Sequence, residues 1–374
     1  VRDPLTRSIE SRYVEAARRL AGQFYVLTNG EHVGRRGVND IVDKALDAAA
    51  GAQDHGLYLP GLAAGGVQFQ DRYGAVSHPG VSDDELAFLQ AVPARAERFL
   101  RELLATAPFG LDAGEIEDAV ASIVLDNIAS PTININQLYH RFGAQPARYR
   151  QLQQAVEAFM YGLQSEAASA GLEQAFFVHL APNLGTDAQE RERIRLGDAS
   201  SAGTTDFQFM IRGAVKEVGV LVILNQYYFE HTGHYPLGEH FNARQAPRDH
   251  GELLQLARAH FDPAHMPHIV GVGDTVTSST QTVDGQRLQL RGGSDRGFLT
   301  LVQALGETFG AGSTVIYIDS SAGEVRRPGL DATHLQLHAA DPALEPWPAL
   351  EGITDPADPL RLDFVFCGGH AQYV

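Results

Sequence analysis

The stretch His268-Ile-Val-Gly-Val-Gly-Asp274 constrains the fold more than any other in the chain. Its apolar residues fall on both faces of an extended segment, the pattern of a strand covered on both sides, and hence of the parallel sheet of an α/β protein. The strand ends on Gly273 and hands one carboxylate, Asp274, to the next loop. In open α/β sheets ligands bind beyond the carboxyl ends of the strands, so Asp274 stands where chemistry is done and suits a hard metal ion. The plainer alternative is a turn or a helix cap.

A second strand end agrees. Phe24-Tyr-Val-Leu closes on Thr28, followed by the turn-forming Asn29 and Gly30. The segment from Gly213 to Leu224 predicts a helix with Lys216 in its first turn, where the helix dipole disfavours a cation. A positive charge placed there suggests an anionic ligand, or else a nearby surface carboxylate.

Composition narrows the function classes. A chain of 374 residues exceeds one typical domain, and 44% hydrophobic residues suffice for a sizeable core. With 29 basic and 46 acidic side chains the net charge is −17, which argues against nucleic acid or an anionic membrane as partner, since either needs a basic face. The single cysteine, Cys367, excludes an intramolecular disulfide and a multi-cysteine zinc site, and reads as an inert core residue of a strand over Leu362–Cys367. No apolar run approaches the roughly 20 residues of a spanning helix and no signal peptide is visible, so a cytoplasmic protein is expected.

Periodicity predicts helices over Ser8–Gly22, Val38–Leu46, Tyr149–Ala170, Leu253–His260 and Phe298–Phe309, with a further helix opened by the capping box Ser82-Asp-Asp-Glu85 and running to Leu104. Val67–Gln70 alternates before the turn Asp71–Gly74, which predicts a hairpin, and Thr314–Asp319 reads as a strand. The proline-rich stretch from Leu335 to Asp358 reads as irregular. His231, His234 and His240 match no zinc spacing and read as solvated or structural, while Arg212 and Arg244 read as surface salt-bridge partners.

Strand-Thr28, helix-Lys216 and strand-Gly273-Asp274, in that order, resemble motifs two, three and four of the haloacid-dehalogenase-like phosphatases. Longer blocks, among them Tyr25–Gly34, Gly56–Val67, Ser122–Pro131, Gly203–Met210, Gly271–Ser278 and Arg291–Asp295, resemble the glucosylglycerol-phosphate phosphatases of salt tolerance through nearly the whole chain. The resemblance implies an α/β fold: a doubly wound parallel-sheet core from residues 1–84 and 206–374, with a helix-rich α/β cap inserted at 85–205. It implies that Thr28 and Lys216 are catalytic, that Thr28, Asn29, Gly30 and Lys216 bind phosphate, and that Asp274 and Asp295 serve Mg²⁺. Ser278 and Ser279 stand where the family's second motif-four acid is usual, and Asp295, beyond a hairpin around Asp284-Gly285, takes its place.

The sugar would be read by polar residues in apolar surroundings, Asp126, Asn127 and Asn183, which otherwise cap local backbone. The implied reaction is hydrolysis of 2-O-(glucosylglycerol)-phosphate in osmolyte synthesis, with the synthase that makes this substrate as a possible partner. The alternatives are a sucrose- or trehalose-phosphate phosphatase and a non-catalytic sugar-phosphate-binding protein. The family's first motif, Asp-x-Asp, supplies the nucleophile and general acid of an aspartyl-phosphate mechanism; it belongs upstream of the segment resembling Val1–Leu5 and is not in this sequence. The 374-residue chain is therefore expected to fold poorly and show no turnover, and saturable phosphate release by it would contradict that expectation.

Overall fold

The computed structural model describes residues 8–373, leaving out 35–36, 47–50, 126, 188, 190, 277, 284, 292–294, 320–329, 342 and 351–359; for 278–281, 283, 286–291, 370 and 371 the backbone alone is described. The first part holds α1 (Ser11–Arg19), β1 (Val26–Leu27), α2 (Val38–Ala45), β2 (Gly61–Ala63), β3 (Gln68–Gln70) and β4 (Val76–Ser77). β1 and β2 are parallel, and β3 and β4 add on as an antiparallel meander through the expected hairpin. Gly61 has φ +136°, and a Cβ there would stand 2.2 Å from the carbonyl oxygen of Val26. Only glycine lets β2 come this close to β1.

The middle segment contains α3 (Asp83–Ala105), α4 (Ala113–Ile123), β5 (Val124–Leu125), β6 (Thr132–Asn134), α5 (Asn136–Phe142), α6 (Pro146–Ser169), β7 (Phe176–Ala181), β8 (Asn183–Thr186), β9 (Glu192–Ile194) and β10 (Asp206–Ile211). The predicted capping box is present: Ser82 Oγ accepts from the Glu85 amide and Glu85 Oε2 accepts from the Ser82 amide. Leu89, Val92, Ala96, Leu100 and Leu104 then bury one stripe of α3, and this packing carries the helix through Pro93.

β5, β6, β10 and β7 form one antiparallel sheet. Phe176, Val178 and Leu180 of β7 and Phe207 and Phe209 of β10 alternate into the core. Because β10 begins at Asp206, the expected boundary after residue 205 falls between strands of a single sheet.

The last part holds α7 (Lys216–Thr232), α8 (His250–His260), β11 (Ile269–Gly273), the hairpin β12 (Ser278–Val283) and β13 (Gln286–Arg291), α9 (Asp295–Phe309), β14 (Ser313–Ile318), α10 (Ala332–Ala340), β15 (Phe364–Phe366) and α11 (His370–Tyr373). β11, β14 and β15 are parallel. α9 packs across β11 and β14 and against α7, which in turn touches β1 and β2. Among the described residues no helix is long and apolar enough to cross a membrane.

Two expectations are corrected, and a third is met only in part. The parallel strands fall into two sheets, β1-β2-β3-β4 and β11-β14-β15, where one doubly wound sheet was expected. β1 and β11 are each an edge strand, and no described strand lies between them. The proline-rich stretch overlaps α10, because Asp331 caps that helix by accepting from the His334 amide and the prolines of the stretch lie outside it. β15 is an edge strand with Phe364 exposed, although Cys367 just after it is buried as expected.

Replacing Gly61 by alanine should cost about 1–3 kcal/mol through positive-φ strain, with the clash against Val26 added. Urea unfolding tests this, and unchanged stability would show that β1 and β2 tolerate separation.

Candidate active site

α7 begins at Lys216 itself, after Val215, which offers no capping side chain. The lysine is 8% exposed and its Nζ donates to Asp295 Oδ1 at 2.6 Å. Asp295, 7% exposed, opens α9, and its Oδ2 accepts from the amides of Asp274 at 2.9 Å and Thr275 at 3.2 Å. The Asp295 amide returns a bond to Thr275 Oγ1 at 3.2 Å. Burial alone would raise the Asp295 pKa, but Lys216 and the two amides outweigh it and bring the carboxyl down to about 2.

Gly273 is required here for space: a Cβ would lie 2.8 Å from the Cβ of Asp295. The cation that the helix dipole disfavours is thus held by a buried carboxylate, itself one of the predicted site residues, in place of a surface one.

Thr28 reaches the same region through a short turn. Its amide donates to the Leu62 carbonyl in β2, and its carbonyl accepts from the Gly65 amide at 3.0 Å. Gly65, at φ +68°, lies so close to Ala214 that a Cβ would stand 2.7 Å from that carbonyl, two residues before Lys216. Lys216, Asp274 and Asp295 therefore meet where β11 ends and α7 and α9 begin, and Thr28, at the end of β1, is tied through Gly65 to the segment just before Lys216. Thr28 Oγ1 accepts from the Gly30 amide at 3.1 Å, which commits that amide and leaves the hydroxyl proton of Thr28 to donate elsewhere. The half-buried Asn29 faces the middle segment, its carbonyl 3.4 Å from Ser130 Oγ.

The sugar-reading candidates are less convergent. Asp126 lies outside the described residues. Asn127 donates to the carbonyl and hydroxyl of Ser130, a loop-capping arrangement. Asn183 donates to the Leu180 carbonyl and to Glu192 and accepts from the Gly185 amide, so both of its polar atoms serve its own hairpin. Arg244 pairs with Glu85 at 2.7 Å, but that carboxylate is buried at the start of α3, so the predicted salt bridge is not a surface one. Arg212 is half-buried, and its Nε has no partner among the described residues. His231, His234 and His240 are exposed, and His231 stacks on Tyr227 with ring centroids 4.0 Å apart.

Two features escaped sequence reasoning. Glu31 is buried and binds the loop 128–130 of the middle segment; burial pushes its carboxyl pKa up, and the amides and hydroxyl of that loop pull against it. Its partners are remote in sequence, so only its place beside Thr28-Asn29-Gly30 could have flagged it. The second is the polar face of the sheet β5-β6-β10-β7. In register there, Gln208 sits opposite Thr132 and His179, and Asp206 opposite Asn134.

Burial would lower the His179 pKa, yet Glu192 at 2.9 Å, helped by Asp206 and Glu217, holds it above the usual value. Glu217 follows Lys216 directly in the chain. Gln208 Oε1 is buried on this polar face with no partner among the described residues. The alternation Asp206-Phe-Gln-Phe was a readable signal for this face.

The profile of the glucosylglycerol-phosphate phosphatases matches residues 1–374. The chain belongs to the glucosylglycerol-phosphate phosphatase family. A curated glucosylglycerol-phosphate phosphatase of Synechocystis sp. (strain PCC 6803) is 49% identical over 374 residues, all of this chain and 87% of that protein. No solved structure matches the chain significantly.

Among the described residues no three His, Cys, Asp or Glu side chains gather as a metal cage. Mg²⁺ does not need one, since it is commonly held by one or two carboxylates together with substrate phosphate and water. Asp274 is half-buried at its strand end, and both oxygens of Asp295 are already hydrogen-bonded.

Asp295→Asn should destabilise the fold at pH 7 by about 3–5 kcal/mol, because it strands a buried ammonium. The Asp295 pKa falls on folding from an ordinary 3.8 to about 2, so the carboxylate stabilises the fold above pH 3.8 and ceases to do so as pH falls through 2. Urea midpoints of the two proteins should converge over that window; a constant difference would locate the cost elsewhere.

Proposed function

We propose that this chain carries the phosphate- and metal-handling groups of a phosphatase that hydrolyses 2-O-(glucosylglycerol)-phosphate to glucosylglycerol and inorganic phosphate. The observation that carries the reading is the Lys216–Asp295–Asp274 cluster at converging strand and helix ends, in a chain that matches the family over its full length.

Phosphate-monoester hydrolysis is among the slowest uncatalysed reactions, and its catalysis consists mostly of positioning and charge neutralisation. Lys216 supplies positive charge to the phosphoryl oxygens while Asp295 fixes its ammonium. Thr28 donates its hydroxyl to one phosphoryl oxygen, and the Asn29 amide adds a donor beside it. Asp274, with Asp295 behind it, is the site for Mg²⁺, which when bound adds charge to offset the field of an acidic protein. In the phosphatases this chain resembles, the nucleophile and general acid are the carboxylates of an Asp-x-Asp motif, which is not among these residues. In this reading the two parallel sheets form one haloacid-dehalogenase-like core. The middle segment is its cap, whose polar sheet face meets the sugar hydroxyls.

The test uses the full-length enzyme. Phosphate release from glucosylglycerol phosphate should stop on chelation, return with Mg²⁺, and exceed release from sucrose or trehalose phosphate. Asp274→Asn should lower kcat/KM by about 100-fold and raise the Mg²⁺ concentration needed. Turnover indifferent to chelation would reject the metal site, and preference for another sugar phosphate would reject the substrate.

A further inference from the structure

We propose that Glu31 is a positioning residue that latches the Asn127–Ser130 loop onto the Thr28–Gly30 loop, registering the sugar-reading half of the site with the phosphate-holding half. This rests on the function proposed above, with the Thr28–Gly30 loop on the phosphate and the middle segment, to which the Asn127–Ser130 loop belongs, on the sugar. The Glu31 side chain is 2% exposed. Its Oε2 accepts from the Ile128 amide at 2.8 Å, and its Oε1 accepts from the amides of Ala129 at 2.6 Å and Ser130 at 2.8 Å and from Ser130 Oγ at 3.1 Å. Three successive amides converging on one point make an anion nest. Here a carboxylate from 97–99 residues earlier in the chain fills it.

The bonds continue to both flanks of the latch. Ser130 Oγ also reaches the Asn29 carbonyl at 3.4 Å, and Asn127 donates to the Ser130 carbonyl at 3.1 Å, so the nest residue touches the phosphate loop and the candidate sugar ligand together. On the other side Gln68 Nε2 lies 3.3 Å from Glu31 Oε2 and 3.2 Å from His78 Nε2, while Gln68 Oε1 accepts from the His32 amide at 2.8 Å. His78 precedes the Ser82 cap where the chain enters the middle segment. One buried network therefore spans the phosphate loop, the entry to the middle segment and a loop deep within it.

Among the described residues no basic side chain is a partner of Glu31. A loop of this kind could be capped by a neutral side chain at lower desolvation cost, and a buried charge kept in its place serves to select one arrangement of the two loops.

Two substitutions in the full-length enzyme test the latch. Glu31→Gln keeps the shape but turns an NH₂ group toward amide donors, and Ser130→Ala removes one donor and leaves the nest. Steady-state rates are compared on glucosylglycerol phosphate and on a small aryl phosphate, with amide hydrogen exchange at residues 128–130. The ratio of kcat/KM for the sugar phosphate over the aryl phosphate should fall about tenfold or more in Glu31→Gln and less in Ser130→Ala, chiefly through KM for the sugar phosphate. Exchange at 128–130 should quicken while β6 and β10 stay protected.

A ratio within about twofold of the parent in both variants overturns the proposal, whether the two rates fall together or hold. Should Glu31→Gln fail to fold, Ser130→Ala decides alone. If the unaltered enzyme prefers a different sugar phosphate, the substrate assignment fails, and the same ratio taken with that substrate still judges the latch.

Discussion

The buried ion pair of Lys216 and Asp295 is the interaction on which the chemistry-bearing end of this protein depends. Taking two charges out of water is costly, and the pair repays it only because its geometry is good and the remaining carboxylate oxygen is bound by the amides of Asp274 and Thr275. The contact joins the first turns of α7 and α9 to the end of β11. It also overrides the dipole preference against a cation at a helix start. Gly273 is the backbone condition for all of it, because a side chain there would collide with Asp295.

Glu31 solves the same problem differently. Asp295 is charged beside a cation, whereas Glu31 is surrounded by neutral donors from backbone and Ser130. In the function proposed here the first arrangement leaves a lysine to meet a phosphate. The second leaves no net positive charge and suits the joining of two loops. The two buried carboxylates thus divide electrostatics from positioning, one behind the cation and one beneath the turn that follows Thr28.

The sheet edges fit this division. β1 and β11 carry Thr28 and Asp274 at their ends, yet they belong to separate sheets bridged by helices α7 and α9. One face of β10 and β7 carries the half-buried Asp206, Gln208 and His179, while the opposite face is packed with phenylalanine and aliphatic residues. A sheet that is greasy on one side and hydrogen-bonding on the other is what a domain needs if it is to hold its own core and also meet a polyol.

Local chemistry was legible in the sequence. The strand ending at Gly273-Asp274, the helix opened by Lys216, the capping box at Ser82 and the hairpins at Asp71–Gly74 and Asp284-Gly285 all follow from periodicity, turn residues and caps, which act within a few residues. The placement of Asp126, Asn127 and Asn183 as polar residues among apolar ones was equally legible, but what their side chains touch was not. Asn127 and Asn183 bond their own loops.

Sequence alone indicated the family and most of the element types, and placed Thr28, Lys216 and Asp274 at strand and helix ends. Tertiary structure alone decided that the partner of Lys216 is Asp295, 79 residues away, that Glu31 reaches residues 128–130, and that the parallel strands form two sheets. The physical reason is range. Backbone propensity and capping are settled between near neighbours, whereas a buried charge takes whichever donor the packing of distant segments brings within hydrogen-bond distance.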